Sequence, residues 1–201
     1  MKREIDFFFF IGSVYAYLAS QRISGLALQA GVAVNWRPFS VRDIMVEQNN
    51  LPRNQPAKMA YIWRDSERRA RQDGVPYVGK PPYPIDPDQR ANRVATFART
   101  EGWCEDFSTA AFRTWFLDGV TVGSPGTIEP IVEALGRDPA QVLARADDDD
   151  IRALYAAETD VARKAGGFGS PTFIVDGEMF WGDDRLEEAI AWAAGEHPAQ
   201  A

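Results

Sequence analysis

Five consecutive apolar residues, Phe7-Phe8-Phe9-Phe10-Ile11, constrain this chain more than any other stretch. Such a run has no polar face to turn to water. It therefore reads as a strand in the middle of a sheet covered on both sides. The strand is expected over residues 4–11, with charge before it and Gly12 after it. Ser13 then stands where a helix cap belongs. Tyr15, Ala19, Ile23, Leu26 and Ala30 recur at helical spacing, and Gly31 sits just past the helix end. Residues 32–36 make a second strand, closed by Pro38. Strand, helix and strand form a βαβ unit, whose crossover is expected to be right-handed.

The other strand signal lies far downstream. Thr172-Phe173-Ile174-Val175 and Glu178-Met179-Phe180-Trp181 flank Asp176-Gly177, a pair suited to a type I′ turn because both central residues need positive φ. Pro171 stands at the strand entry, one of the few places a strand accepts it. Read locally, Ser170-Pro171 is an ordinary strand entry. Gly182-Asp183-Asp184-Arg185 then opens a helix with Leu186, Ala189, Ile190 and Ala193 on one face. Between the two strand pairs, the pattern is helical and broken by proline-bearing loops. A short helix is expected over 43–48 and a longer one from Pro56 through 57–72. Others follow at about 88–101, 104–118, 127–135, 139–146 and 150–165. Residues 74–87 read as a loop rich in proline, and no internal repeat of fixed period is present.

Composition removes several chemistries. A net charge of −7 opposes a nucleic-acid surface. No apolar run approaches the roughly 18 residues of a membrane span. Met1-Lys2-Arg3-Glu4 begins no signal-peptide pattern, so a cytoplasmic location is expected. Cys104 is the only cysteine and His197 the only histidine. An internal disulfide, a thiolate metal cluster, a Ser-His-Asp triad and the common zinc sites are therefore set aside.

The segments around these strands carry a resemblance. Gly-Ser-Pro-Thr-Phe at 169–173, the hairpin, and Phe-Trp-Gly-x-Asp-Arg-Leu at 180–186 resemble the C-terminal signature of a thioredoxin-like family. That family contains the bacterial disulfide oxidoreductases, kappa-class glutathione transferases and 2-hydroxychromene-2-carboxylate isomerases. Ser13-Val14-Tyr15-Ala16-Tyr17-Leu18 is similar to the Ser-Pro-Tyr-x-Tyr-Leu pattern shared by the isomerases and kappa-class enzymes. Val14 replaces the proline, which leaves the first helical turn less stiff. The resemblance implies an α/β thioredoxin-like fold (βαβ…ββα) with a large all-helical insertion. The thioredoxin-like part would be 1–40 plus 166–201, and the insertion 41–165.

It also implies a site. Ser13 and Ala16 occupy the places of a Cys-x-x-Cys pair, and neither can exchange disulfides. Ser13 is then either a simple N-cap or a hydroxyl that favours a bound thiolate, helped by the partial positive charge of the helix N-terminus. Pro171 would be a cis-proline, presenting the Ser170 N–H and C=O to a thiol peptide. Asn49, Pro52, Pro56 and Lys58 are similar to an Asn-x-x-Pro-x-x-x-Pro-x-Lys segment facing the ligand, with Asn50 and Asn54 as alternative registers. Otherwise they are a solvated turn and a surface lysine. Tyr83, in Pro82-Tyr83-Pro84, matches an aromatic position near the ligand. Trp181, Gly182, Asp183 and Asp184 would receive the γ-glutamyl end of glutathione, while Arg185 would pair with an acid on another element. Tyr15, Tyr17, Trp36, Trp63 and Tyr77 read as core or as walls for an aromatic substrate. The acids at 147–150 read as a cap and a solvated turn.

The function implied is a glutathione-dependent isomerase similar to 2-hydroxychromene-2-carboxylate isomerase. It would act on an aromatic catabolite by reversible thiolate addition to a conjugated double bond. The alternatives are a kappa-like glutathione S-transferase, or a non-redox thiol-peptide-binding relative of the disulfide oxidoreductases. Glutathione is the expected cofactor, no metal is expected, and a homodimer fits the resemblance.

Overall fold

The computed structural model describes residues 3–81, 86 and 88–200. Strand β1 (Glu4–Phe9) leads into helices α1 (Val14–Ser20) and α2 (Ile23–Ala30), and then into β2 (Ala33–Pro38). Among the described residues, seven α-helices follow: α3 (Val41–Glu47), α4 (Pro56–Gln72), α5 (Arg90–Thr100), α6 (Cys104–Phe116), α7 (Glu129–Ala134), α8 (Pro139–Asp147) and α9 (Asp149–Lys164). The chain returns to the sheet with β3 (Thr172–Val175) and β4 (Glu178–Trp181), and closes with α10 (Leu186–Ala194). The four strands lie in the order β2-β1-β3-β4. β1 runs parallel to β2, from Glu4 opposite Ala33 to Phe9 opposite Pro38. It runs antiparallel to β3, with Phe8 opposite Thr172. This is a thioredoxin-like sheet with a helical insertion between its halves.

The apolar run does what its composition demands. Alternate side chains of a strand point to opposite faces. Ile5, Phe7, Phe9 and Ile11 enter the larger core, while Phe8 and Phe10 meet Phe39, Val41, Ile44 and Ala162 on the other side. Phe7 meets Trp36 edge-on at 4.9 Å and stacks on Phe173 at 5.5 Å. Truncating such a fully buried phenylalanine to alanine costs about 3–5 kcal/mol. The ladder is shorter than the apolar run, because β1 stops at Phe9. Phe10 and Ile11 leave the sheet to begin the turn into α1.

Two expected helices differ from what forms. The single helix expected after Ser13 is broken into α1 and α2. Ser20 Oγ donates to Tyr17 C=O at 2.7 Å, and Arg22 leaves helical geometry at φ −122° and ψ −30°. Its guanidinium reaches Asp73 and, at 2.9 Å, Glu187. The segment after β4 begins not as an α-helix but as a 3-10 turn, Asp183–Arg185, before α10. The hairpin matches expectation: Asp176 has φ 49° and Gly177 φ 87°. Among the described residues, no helix is long and apolar enough to cross a membrane.

Candidate functional site

Past the end of β1, two side chains take over from the ladder. The Phe10 N–H donates to Ser170 Oγ at 3.0 Å, and the Ile11 N–H donates to Asn92 Oδ1 at 2.8 Å. Left unpaired, each such buried N–H would cost roughly 1–3 kcal/mol. The Phe10 C=O accepts the Ser13 N–H at 2.8 Å, so residues 10–13 form a turn that delivers Ser13 to the start of α1. Ser13 has the extended geometry of an N-cap, φ −100° and ψ 121°, and its Oγ accepts the Ala16 N–H at 3.2 Å. Its hydroxyl also donates to the Ser170 C=O at 2.7 Å. A cap alone would need only the first of these bonds. Ser170-Pro171 is cis, as the resemblance implies. Ser13, Ser170 and Pro171 therefore meet at one corner, where α1 begins and β3 is about to begin.

The 181–185 turn extends this corner. The Gly182 N–H donates to Pro171 C=O at 3.1 Å. Gly182 has φ 108°, a region open to glycine and strained for other residues. Trp181 is half exposed and lies against the Phe168 ring at 4.7 Å. It also lies across Gly169, where a Cβ would fall 1.9 Å from the indole Nε1. Asp183 and Asp184 part company. Asp183 is buried, and its Oδ2 accepts Arg69 Nε from α4 at 2.8 Å. Burial pushes its carboxyl up to about 6, although the Arg69 hydrogen bond and charge pull the other way. Asp184 is exposed, 3.2 Å from Arg185. Arg185 also pairs with Glu188 at 3.1 Å. It serves its own segment, which corrects the expectation of a partner on another element.

The remaining expected residues are spread around this corner. α4 packs against α1, and its first turn carries Lys58. The Lys58 ammonium donates to Asn50 Oδ1 at 2.8 Å, so Asn50 is its amide neighbour. Asn49 is exposed, with φ 50° just past α3. Tyr83 lies outside the described residues. Tyr17 and Trp36 are buried in the core, whereas Tyr15, Trp63 and Tyr77 are partly exposed beside it. Tyr15 donates to Asp65 at 3.0 Å. Cys104 is buried on α6, and burial pushes its thiol up to about 12, so it is a poor thiolate. Among the described residues, no group of three metal-ligating side chains is assembled.

Three contributors escaped the sequence reading. Arg69 looks like one of many exposed charges on α4, and Arg22 like a helix interior. Asn92 offered a signal: it is a polar residue inside a helical stretch that is otherwise small or apolar at 91, 94, 95 and 98.

A sequence model of the DSBA-like thioredoxin domain matches residues 4–190. A 2-hydroxychromene-2-carboxylate isomerase of Sphingobium xenophagum is 28% identical over 191 residues, covering 93% of this chain and 96% of that protein. One of Pseudomonas putida is 26% identical over 186 residues, covering 90% of each. A solved structure of 2-hydroxychromene-2-carboxylate isomerase superposes with a TM-score of 0.82 at 24% identity, over 96% of this chain and 97% of that one.

Proposed function

Because the chain belongs to the DSBA-like thioredoxin domain family, we propose that it is a glutathione-dependent isomerase of the kind its relatives' names describe. Its substrate would be an aromatic catabolite similar to 2-hydroxychromene-2-carboxylate. One observation carries this reading. A serine, with its hydroxyl against Ser170, stands at the helix N-terminus opposite the cis-proline, while the only cysteine is buried elsewhere with its thiol raised. Chemistry that needs a thiolate must then borrow one. When bound, glutathione supplies a thiol that adds reversibly to a conjugated double bond, permits rotation about the resulting single bond, and leaves on elimination.

The residues of the corner fit such a ligand. The Ser13 hydroxyl is a rotor: turning from the Ser170 carbonyl, it can donate to a sulfur while its oxygen still faces the first turn of α1. The N–H groups of Val14 and Tyr15 belong to that first turn, which an α-helix leaves without internal acceptors. Together they favour the ionised thiol and lower its pKa from about 8.5. Ser170 and Pro171 would hold the peptide backbone of the ligand. The exposed Asp184 carboxylate suits an ammonium, and Lys58, whose bonded neighbour Asn50 is neutral, suits a carboxylate. Asn49, Trp181 and Gly182 would complete the contact. Asp183, engaged with Arg69, would contribute through the turn it holds rather than through its carboxylate.

The test is calorimetric titration with glutathione, wild type against Ser13→Ala, with thiolate absorbance followed against pH. The bound thiol should titrate below the free value in the wild type and about one pH unit higher in the variant, a difference of about 1.4 kcal/mol. Absence of binding at millimolar glutathione would sink the proposal. A stable conjugate with a model enone would redirect it to a transferase.

A further inference from the structure

We propose that Asn92 is a positioning residue for Ser13, locking the peptide unit from which the Ser13 turn is built. The placement of Ser13 follows from the fold, while its thiolate role rests on the function proposed above. The Phe10–Ile11 peptide has one N–H and one C=O. The N–H donates to Asn92 Oδ1 at 2.8 Å, and the C=O accepts the Ser13 N–H at 2.8 Å. A rotation of this single plane would break both bonds at once and release Ser13 from its place over α1.

Among the described residues, the Ile11 N–H makes its bond to the Asn92 side chain and not to a neighbouring strand. On one side the paired register of β1 and β2 ends at Phe9 opposite Pro38, and the last backbone bond across it runs from the Phe39 N–H to the Phe9 C=O at 3.1 Å. On the other side β3 begins at Thr172, opposite Phe8, so its register with β1 has also ended before Phe10. The Ile11 N–H thus lies beyond both ladders, and a side chain from the helical insertion meets it. Asn92 is 1% exposed, so water does not compete for the bond. Its helix is itself pinned. Arg93, the next residue, donates to Ala146 C=O at 3.0 Å and pairs with Asp147 at 2.6 Å. Thr96 Oγ1 donates to the Asn92 C=O at 2.9 Å. The insertion therefore meets the Ser13 turn through the Asn92 amide oxygen, which fixes the presentation of Ser13.

The experiment compares wild type, Asn92→Ala and Asn92→Asp by amide hydrogen exchange and by the pH titration of the bound glutathione thiol. Aspartate keeps an acceptor oxygen at the same reach. In Asn92→Ala the Ile11, Ser13 and Ala16 amides should exchange at least tenfold faster. The bound thiol should titrate higher, with kcat for the isomerisation falling about tenfold and KM changing little. Asn92→Asp should restore most of each. If Asn92→Ala does not fold, Asn92→Leu fills the same volume without the acceptor and is judged by the same values. Faster exchange at Ile11 with an unchanged thiol titration would overturn the positioning role and leave a bond that serves stability alone. If the wild type does not bind glutathione, the proposed function falls. The positioning claim then stands on the Ala16 amide, which reports the Ser13 cap: faster exchange in Asn92→Ala supports it, and an unchanged rate overturns it.

Discussion

Two acidic segments precede helices in this chain, and they have opposite electrostatics. At 147–150 the carboxylates sit at the surface among guanidinium groups. Asp147 pairs with Arg90 and Arg93 at 2.6 Å, and Asp150 pairs with Arg145 at 2.9 Å. Slight burial pushes the Asp147 carboxyl up, but the Arg93 and Arg90 bonds and charges outweigh it and hold it below the usual range. At 183–184 one carboxylate stays outside while the other is buried and bonded to Arg69, with the Arg22 charge also near, and burial prevails. The residue type is shared, and both segments lie within two residues of a helix start. The difference is access to solvent and the number of cations in reach. The surface acids form ion pairs, and Asp148, at the N-cap of α9, makes no side-chain cap bond, which corrects the expectation of a cap there. The buried acid holds two elements together, here α4 and the 181–185 turn.

Removing the cation should have the largest effect. Arg69→Met leaves Asp183 buried without its partner and should cost about 3–5 kcal/mol in urea unfolding. Much of that loss should return in the double variant with Asp183→Asn, since the two residues act as one unit. A loss below about 1 kcal/mol would place Asp183 with the surface acids after all.

The pH dependence sharpens the contrast. The Asp183 carboxyl is raised in the fold, so the folded chain keeps its proton where the unfolded chain has lost it. The stability this brings is fully present below about pH 4 and disappears as pH rises through about 6. Raising a carboxyl from its ordinary range to about 6 corresponds to about 3 kcal/mol. The stability of the wild type relative to Asp183→Asn should therefore fall by up to that amount between pH 4 and pH 7. A flat difference across that window would remove burial as the cause. Asp147 has the opposite sign: its contribution is present above the ordinary carboxylate range and lost as pH falls. The smallest effect belongs to Asp147→Asn, below about 1 kcal/mol at neutral pH and reduced further by salt, as for exposed pairs.

The strands and their pairing were legible because each is determined locally. Five apolar residues admit only a doubly covered strand, and Asp176-Gly177 admits only a tight hairpin. Ser13, Ser170 and Pro171 were legible as a constellation through the resemblance, and the fold brings them together. What the chain concealed is nonlocal. The break at Gln21 and Arg22 follows from where Arg22 finds its acids, on elements far along the chain. The burial of Asp183, but not of its neighbour Asp184, follows from the approach of Arg69 across 114 positions. The choice of Asn50 over Asn49 beside Lys58 turns on one residue of loop register. Hydrophobic period reports which face a residue takes, and none of these depends on a face alone.

Adjacent places in the fold can be distant in time. Ser13 and Ser170 are separated by 157 positions, and a ribosome adding about 5–20 residues per second needs roughly 8–30 s to make that span. Through that interval β1 can pair with β2, which is made soon after it, while its other edge waits for β3. The phenylalanine-rich β1 is thus a strand whose second edge stays open through most of synthesis. The helices made in between, α3 and α9 among them, carry the apolar residues that shield Phe8 and Phe10. The insertion that brings Asn92 to the corner also gives the nascent strand cover before its last partner emerges.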